Sequence, residues 1–408
     1  MEGSKTYFRT GLGLKRAVLP VLEGEYHSRV IDWLRENGYR ASAGGLTIRL
    51  AEEFGYCYGV DRAVQYAYEA RHKFPDRRLF LLGEIIHNPH VNKRLRELGI
   101  EVLMPGPQGR FDFGGITTED VVIIPAFGVT MRDFKELREV GCLLVDTTCG
   151  SVLNVWKRVE GYARDGHTAI IHGKYYHEEA KATASQASRY VDGAYLIVLD
   201  MEEARSVCDY IVNGGVKEDF LNQFGHACSE GFDPDVDLVK VGVANQTTML
   251  ASDTAKIAEQ FRAAMVERYG AEILQEHYRH FDTLCSATQD RQDAVIKMME
   301  SPPDIMIVIG GYNSSNTNHL AQICARHTRT FHLEDSTCID PESGTISHKL
   351  VGTDDIVTEG DWLPTGEIEI GLTAGASTPN NKIGDTVERV FAARGVALEE
   401  LLNSVVQD

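Results

Sequence analysis

No apolar run in the 408-residue chain approaches the roughly 18 residues that a transmembrane helix needs. The opening stretch, MEGSKTYFRTGLGLKRAVLP, has no apolar signal-peptide core. Long Lys/Arg clusters are also absent from a chain whose net charge is −19, which argues against a general nucleic-acid or membrane-surface binder. We therefore expect a globular cytoplasmic protein that binds any anionic ligand locally.

The chain has no CxxC pair, and its eight cysteines do not suggest a disulfide framework in a reducing compartment. Cys57, Cys149 and Cys285 each stand between a short β-rich run and a strongly helical run, and the tetrapeptides DTTC and DTLC end at the last two. This repetition predicts three similar strand–cysteine–helix units. The remaining cysteines fit ordinary buried or loop positions: Cys142, Cys208, Cys228, Cys324 and Cys338.

Short β-branched strands alternate with amphipathic helices along most of the sequence, which predicts an α/β fold of three similar small domains with parallel sheets. We expect residues 216–237 and 334–366 to be inserted polar loops. The expected segments are a partly helical N-terminal extension (1–46), three α/β domains carrying Cys57 (47–148), Cys149 (149–284) and Cys285 (285–380), and a C-terminal helix and tail (381–408).

A thiol at a helix start has its pKa lowered by the helix dipole, which favours the metal-binding thiolate. Three converging thiolates would be one ligand short of a closed zinc or iron–sulfur site, and the open position could bind substrate. Soft thiolates favour iron–sulfur or zinc over hard cations. The alternative is three unconnected buried thiols, but their shared context favours a common site.

No GxxxxGK[ST] motif and no GxGxxG motif opening a helix is present, so the usual nucleotide loops are not predicted. Several predicted strand ends are nevertheless rich in polar side chains, at the place where parallel sheets bind anions. Helix capping alone could explain each loop, although NSSN has more polar residues than one cap requires. The polar residues are His87, Asn88, Gln246, Thr247, Thr248, Ser314, Ser315, Asn316 and Ser377.

The segment HGKYYHEEAKAT places His177, Glu178 and Glu179 directly after a predicted strand. A carboxylic acid beside a histidine and a metal centre can act as a proton source when burial raises its pKa. A solvated acidic helix start is the competing interpretation.

The order of short motifs along residues 47–383 resembles the LytB/IspH family of 4-hydroxy-3-methylbut-2-enyl diphosphate reductases, which act last in the non-mevalonate isoprenoid pathway. Each motif alone is short, but eight in the same order are highly specific. The motifs are GYCYGVDRA, GEIIHNP, VDTTC, HEEAKAT, NQTT, DTLCSATQDRQ, NSSN and AGAST.

The resemblance implies three α/β domains arranged as a cloverleaf around one 4Fe-4S cluster held by Cys57, Cys149 and Cys285. It also implies two-electron removal of the substrate hydroxyl as water, giving isopentenyl and dimethylallyl diphosphate, with ferredoxin or flavodoxin as the electron donor. Glu179 would be the proton source and Thr247 would orient the hydroxyl. The remaining substrate contacts would come from His87, His177, Gln246, Thr248, Ser314, Ser315, Asn316 and Ser377.

Two positions depart from the common bacterial pattern. Phe127 stands where many members have a histidine, and Glu178 replaces the proline of a His-Pro-Glu motif. The phenylalanine and the long extension before residue 47 resemble the plant and cyanobacterial branch. Two other functions are compatible with these residues. One is an iron–sulfur hydro-lyase, which would need no reductant. The other is a phosphate-binding protein with a structural zinc site, which would be colourless.

Overall fold

The computed structural model describes residues 6–107, 109–281 and 283–397. Asp282, the first residue of DTLC, lies outside the described residues, as do residues 1–5 of the expected extension and 398–408 of the expected tail. Within the described ranges, no helix is both long enough and apolar enough to span a bilayer.

The strands of the described residues are, in chain order, β1 (Tyr7–Phe8), β2 (Arg40–Ala43), β3 (Leu46–Leu50), β4 (Leu79–Leu82), β5 (Ile100–Leu103), β6 (Val121–Ile124), β7 (Leu143–Asp146), β8 (Thr168–His172), β9 (Tyr195–Val198), β10 (Val241–Asn245), β11 (Tyr278–His280), β12 (Ile305–Ile309), β13 (Arg329–Leu333), β14 (Ile339–Asp340), β15 (Thr345–Lys349), β16 (Ile356–Gly360) and β17 (Ile368–Ala374).

The α-helices are α1 (Lys15–Tyr26), α2 (Arg29–Glu36), α3 (Tyr58–Lys73), α4 (Pro89–Glu97), α5 (Met131–Val140), α6 (Gly150–Arg164), α7 (Glu178–Ala184), α8 (Met201–Asn213), α9 (Lys217–Phe224), α10 (Pro234–Asp237), α11 (Ala251–Tyr269), α12 (Leu274–His277), α13 (Ser286–Met299), α14 (Ser315–Ala325) and α15 (Asn380–Ala392). Short 3₁₀ turns cover Ala187–Arg189 and Ser336–Cys338.

The first of two compact units comprises the described residues as far as Leu12, together with Lys73–Ile85 and Leu98–Cys285. It contains two sheets, with strand orders β1-β7-β6-β4-β5 and β11-β10-β8-β9, and all their pairings are parallel. Strands such as β6 (VVII) and β7 (LLVD) are buried along their whole length, as expected for parallel strands covered by helices on both faces.

The second unit comprises Gly13–His72, Ile86–Glu97 and the described chain from Ser286 onward. Its mixed sheet has the order β14-β15-β13-β12-β17-β3-β2, with β16 added beside β15. The central strands β13, β12, β17 and β3 pair in parallel. The three sheets and their covering helices confirm the expected α/β class with parallel sheets.

The strand that precedes Cys57 belongs to the sheet of the second unit. β3 pairs in parallel with β17, Leu46 lying opposite Ile368 and Leu50 opposite Leu372. This strand therefore shares a sheet with the last part of the chain and not with β4, the next strand in sequence. The domain boundaries expected at residues 47, 149, 285 and 381 stay a prediction, since each unit draws on several separate stretches of the chain.

The two segments expected to be polar loops contain regular structure, so that expectation was wrong. In the first, α9 buries Phe220 and Phe224 in the same apolar cluster as Phe232. In the second, β14, β15 and β16 form an antiparallel ribbon, whose outer strand alternates exposed and half-buried residues. A strand covered on one face only needs few apolar residues, which explains its polar composition.

The stretch before residue 47 is part of both units. β1 adds an edge strand to the first sheet through the pair Tyr7 and Leu144. α2 buries Val30, Ile31 and Leu34 in the core of the second unit, and β2 pairs antiparallel with β3. The segment that looked like an extension therefore contributes core and sheet.

Candidate functional site

The loop before Cys149 is fixed by its own side chains. Asp146 ends β7, and its Oδ1 accepts hydrogen bonds from the Thr148 amide at 2.9 Å and the Thr148 hydroxyl at 2.5 Å. The Thr147 hydroxyl donates to the Ile124 carbonyl at 2.7 Å, and the Cys149 amide donates to the Ala126 carbonyl at 3.0 Å. Cys149 is the N-cap residue of α6, but its side chain makes no capping hydrogen bond. The sulfur is therefore left for another partner.

Cys285 lies beside the first turn of that same helix. The Ser151 hydroxyl donates to Cys285 Sγ at 3.3 Å, although the two residues are far apart in sequence. The Asn245 amide donates to the Thr283 hydroxyl at 3.0 Å, which ties the chain before Cys285 to the end of β10. In the first unit the fold therefore brings the loops of two of the three repeated cysteines together.

Cys57 occupies the corresponding position in the second unit, directly before α3. Its amide donates to the Ala376 carbonyl at 3.2 Å. Gly55, with φ at +68° and Ile383 only 2.9 Å from where a Cβ would stand, makes the tight approach that only glycine allows. The buried guanidinium of Arg291 donates to the Gly55 carbonyl at 2.6 and 3.1 Å. Sequence reasoning assigned no role to Arg291, although it lies inside the DTLCSATQDRQ motif.

The other cysteines differ in chemistry. Burial raises the pKa of the Cys142 thiol to about 11 and the pKa values of Cys208 and Cys324 to about 12. These three are inert core side chains at neutral pH. Cys57, Cys149 and Cys285 are only half-buried and stand at helix starts, which suits a metal-binding role.

One carboxylate of the HEEA segment is buried and the other is exposed. Glu179 is 1 % exposed, whereas the Glu178 side chain is 56 % exposed. Thr247 donates to the Glu179 carboxylate twice, from its amide to Oε1 at 2.6 Å and from its hydroxyl to Oε2 at 3.0 Å. The candidate proton source and its candidate partner are therefore in direct contact.

His177 is buried directly before α7 and its ring orientation is fixed on two sides. Its Nδ1 accepts the Glu179 amide at 3.1 Å, so in the neutral ring the proton is on Nε2. Phe127 packs edge-to-face against the imidazole with ring centroids 5.6 Å apart. Phe127, which departs from the bacterial pattern, thus packs against a histidine of the candidate site.

Gln246 and Thr248 are tied to each other and to the neighbouring strand end. Gln246 Oε1 accepts the Lys174 amide at 3.1 Å, and its Nε2 donates to the Thr248 hydroxyl at 3.0 Å. Gln246 is fully buried. These contacts hold the β8 and β10 loops together in the first unit.

In the second unit the NSSN and GAST segments meet. Asn316 Oδ1 accepts the Ala376 amide at 2.9 Å, and the Ser377 hydroxyl donates to the His87 carbonyl at 3.1 Å. Ser314 caps α14 by accepting the Thr317 amide at 3.3 Å, as the capping interpretation expected for this loop. Ser315 is buried beside them. The fold thus places His87, Ser377 and the NSSN segment close together.

Asn316 leaves one buried donor unused. Its side chain is 2 % exposed, yet among the described residues its Nδ2 has no hydrogen-bond partner. An unpaired buried donor costs free energy of about 1–3 kcal/mol. A bound anion would remove that cost, which makes this atom a candidate ligand contact.

The candidate residues follow the carboxyl ends of parallel strands, the usual ligand-binding edge of open α/β sheets. Cys149 follows β7, His177 follows β8, Thr247 follows β10, and the NSSN and GAST segments follow β12 and β17. The fold and site thus define an α/β protein that presents half-buried thiols, a buried carboxylate and uncharged donors at its strand ends. The chain belongs to the LytB protein family, whose sequence profile matches residues 48–391.

Relatives across nearly the whole chain have the same name. The proteins of Thermosynechococcus vestitus and Gloeobacter violaceus are both 48% identical to this chain over 97% and 96% of its length, covering 97% and 94% of their own. Both are named 4-hydroxy-3-methylbut-2-enyl diphosphate reductase. The LytB family is known for iron–sulfur enzymes.

Two solved structures are similar. A structure of (E)-4-hydroxy-3-methylbut-2-enyl diphosphate reductase, described as the terminal enzyme of the non-mevalonate pathway, is 26% identical with a TM-score of 0.51 and covers 84% of this chain and 98% of its own. The corresponding Plasmodium falciparum reductase, 20% identical with a TM-score of 0.61 over 84% of this chain and 87% of its own, supports the fold alone.

Proposed function

We propose that this protein reduces 4-hydroxy-3-methylbut-2-enyl diphosphate. Two electrons and two protons remove the hydroxyl as water and give isopentenyl and dimethylallyl diphosphate. Relatives with this activity in their names align over about the whole chain. The observation that carries the proposal is the buried Glu179 carboxylate bound twice by Thr247, because losing a hydroxyl as water requires a proton source beside it.

Cys57, Cys149 and Cys285 are the proposed ligands of a 4Fe-4S cluster. The donor set fits such a group, since all three are half-buried thiols whose positions are fixed by backbone hydrogen bonds at helix starts. When bound, the cluster supplies electrons and a Lewis-acidic iron. Ferredoxin or flavodoxin is the proposed electron donor.

Glu179 and Thr247 act on the proton side of the reaction. Glu179 donates a proton, and the Thr247 hydroxyl positions both the carboxyl group and the substrate hydroxyl. Because Glu179 is enclosed, the proton goes to the substrate rather than exchanging freely with bulk water.

The diphosphate is bound by neutral donors rather than by a basic cluster. His177 can donate from Nε2, since its Nδ1 accepts the Glu179 amide. Asn316 can donate from its unpaired Nδ2. The other proposed substrate contacts are His87, Gln246, Thr248, Ser314, Ser315 and Ser377.

Anaerobic purification tests the proposal directly. We expect a brown protein with about four irons and four sulfides per chain, which converts the substrate only when a reductant is supplied. Turnover without reductant would indicate a hydro-lyase instead. A colourless protein that contains zinc would indicate the phosphate-binding alternative.

A further inference from the structure

The first unit contains a cavity of about 200 Å³ beside the loop that carries Cys149. None of the candidate substrate-binding residues lines it, whereas Asp146 and Thr148 form part of its wall. Other walls come from β1, the start of α5 and the exposed side of α6. The cavity is therefore a separate space that adjoins one cysteine loop.

Most of the cavity wall is apolar. Tyr7 and Phe134 meet edge-to-face with centroids 5.9 Å apart, and Trp156 lines the space with them. The indole N–H of Trp156 is already used, donating to the Thr183 hydroxyl at 3.2 Å. An aromatic pocket with its polar atoms already bonded favours a hydrocarbon group.

Cationic side chains complete the lining. Arg9 and Lys157 are exposed at the cavity, and within the described residues neither forms an ion pair. A third cation, Arg189, pairs with Glu160 at 3.3 Å. Two long cations without a carboxylate partner can bind a phosphate at the opening.

The Asp146 carboxylate of the cavity wall already accepts three hydrogen bonds from the protein. Asp146 accepts from the Tyr7 hydroxyl at 2.5 Å and twice from Thr148. Burial and the nearby Asp146 raise the pKa of Tyr7, so the phenol stays protonated and keeps donating. An anionic group is therefore favoured at the Arg9 and Lys157 side and disfavoured at the Asp146 side.

We propose that this cavity binds a phosphate or diphosphate ester of a short branched hydrocarbon chain, with the chain among Tyr7, Phe134 and Trp156 and the phosphate on Arg9 and Lys157. The inference goes beyond the proposed reductase activity. It rests on that function only for the source of such a ligand, since the proposed products have this chemistry.

Calorimetric titration of the anaerobically purified protein with dimethylallyl diphosphate tests the site. We expect a binding event whose affinity falls about tenfold in Arg9→Gln/Lys157→Gln and falls also in Leu153→Phe, which narrows the cavity. The matched control Arg205→Gln/Lys240→Gln, two exposed cations of the same unit away from the cavity, should leave it unchanged.

Inorganic diphosphate separates the two parts of the ligand. We expect it to bind this site much more weakly than the prenyl ester, because it has no chain to fill the apolar part. If inorganic diphosphate and dimethylallyl diphosphate bind with equal affinity, and Arg9→Gln/Lys157→Gln weakens both equally, the hydrocarbon assignment is wrong. The absence of any event sensitive to this double variant would overturn the site.

The same titrations, combined with a turnover assay, separate a failure of the reductase proposal from a failure of the cavity proposal. Binding at the proposed substrate site depends on His87 and not on Arg9, so His87→Ala weakens that event alone. If turnover is absent but the Arg9-dependent event persists, the cavity proposal stands without the reductase. If turnover is present and no Arg9-dependent event occurs, only the cavity proposal fails.

Discussion

Glu178 and Glu179 are adjacent in the chain but differ sharply in environment. The Glu178 side chain is 56% exposed at the start of α7, and its Oε2 lies 3.9 Å from His177 Nδ1. The positive end of the helix stabilises its charge. Glu179 is buried and is bound twice by Thr247. Successive side chains at a helix start point in different directions, so the residue pattern alone could not show which of the two is buried. Only the family resemblance favoured Glu179.

This difference supplies a matched pair of variants. We expect Glu179→Gln to lower kcat about 10²- to 10⁴-fold while the iron content and substrate binding stay unchanged, since only the transferable proton is lost. Glu178→Gln, one residue away, should keep wild-type turnover. Single-turnover assays on both variants measure the effect, and an unimpaired Glu179→Gln enzyme would place the proton source elsewhere.

At the scale of elements, the sequence predicts what is local. Each strand–cysteine–helix unit can be recognised from its strand, its loop and its amphipathic helix within a few residues. The pairing of β3 with β17 could not be predicted this way, because the strands of one sheet can come from distant parts of the chain. The contacts of Arg291 with Gly55 and of Phe127 with His177 were not predicted for the same reason, since each joins residues distant in sequence.

The start of the NSSN loop depends on a buried histidine of β13. His332 Nε2 lies 3.1 Å from the Gly310 carbonyl oxygen, and the ring meets Tyr312 edge-to-face at 5.2 Å. Burial, with smaller contributions from Lys349 and His348, lowers its pKa from 6.5 to about 4. At a pH between about 4 and 6.5, the His332 ring is therefore neutral in the folded protein but protonated in the unfolded chain.

The sign of the pH effect follows from this lowered pKa. Above pH 6.5 the ring is neutral in both states, whereas between pH 6.5 and 4 only the unfolded state binds the proton, so stability falls as the pH falls. Between pH 7 and 5 we expect wild type to lose about 2 kcal/mol relative to His332→Gln. Urea unfolding at both pH values measures the difference.

The control is His327→Gln, which changes an exposed histidine of the same unit. This variant should lose as much stability between pH 7 and 5 as wild type does. If His332→Gln also loses as much as wild type, the explanation is wrong.

At the scale of the whole molecule, a net charge of −19 and an anionic substrate are compatible because recognition is local. The proposed diphosphate contacts are amides, hydroxyls and imidazoles at strand ends, where the positive ends of helices add attraction without a basic surface. The charge of the chain therefore excludes broad anion binding but does not exclude a single anion site.

The three repeated cysteines are divided between the units, with Cys57 in the second and Cys149 and Cys285 in the first. If all three serve one cluster, Cys57→Ser, Cys149→Ser and Cys285→Ser should each lose most of the bound iron and all turnover, because a serine oxygen is a harder and poorer ligand for iron.

The chain offers a matched half-buried control in each unit, Cys228→Ser in the first and Cys338→Ser in the second. Both controls should keep full iron content and activity. Iron and sulfide analysis under argon, with circular dichroism to show that each variant is folded, measures the outcome, and a folded variant with its full iron content would remove that cysteine from the ligand set.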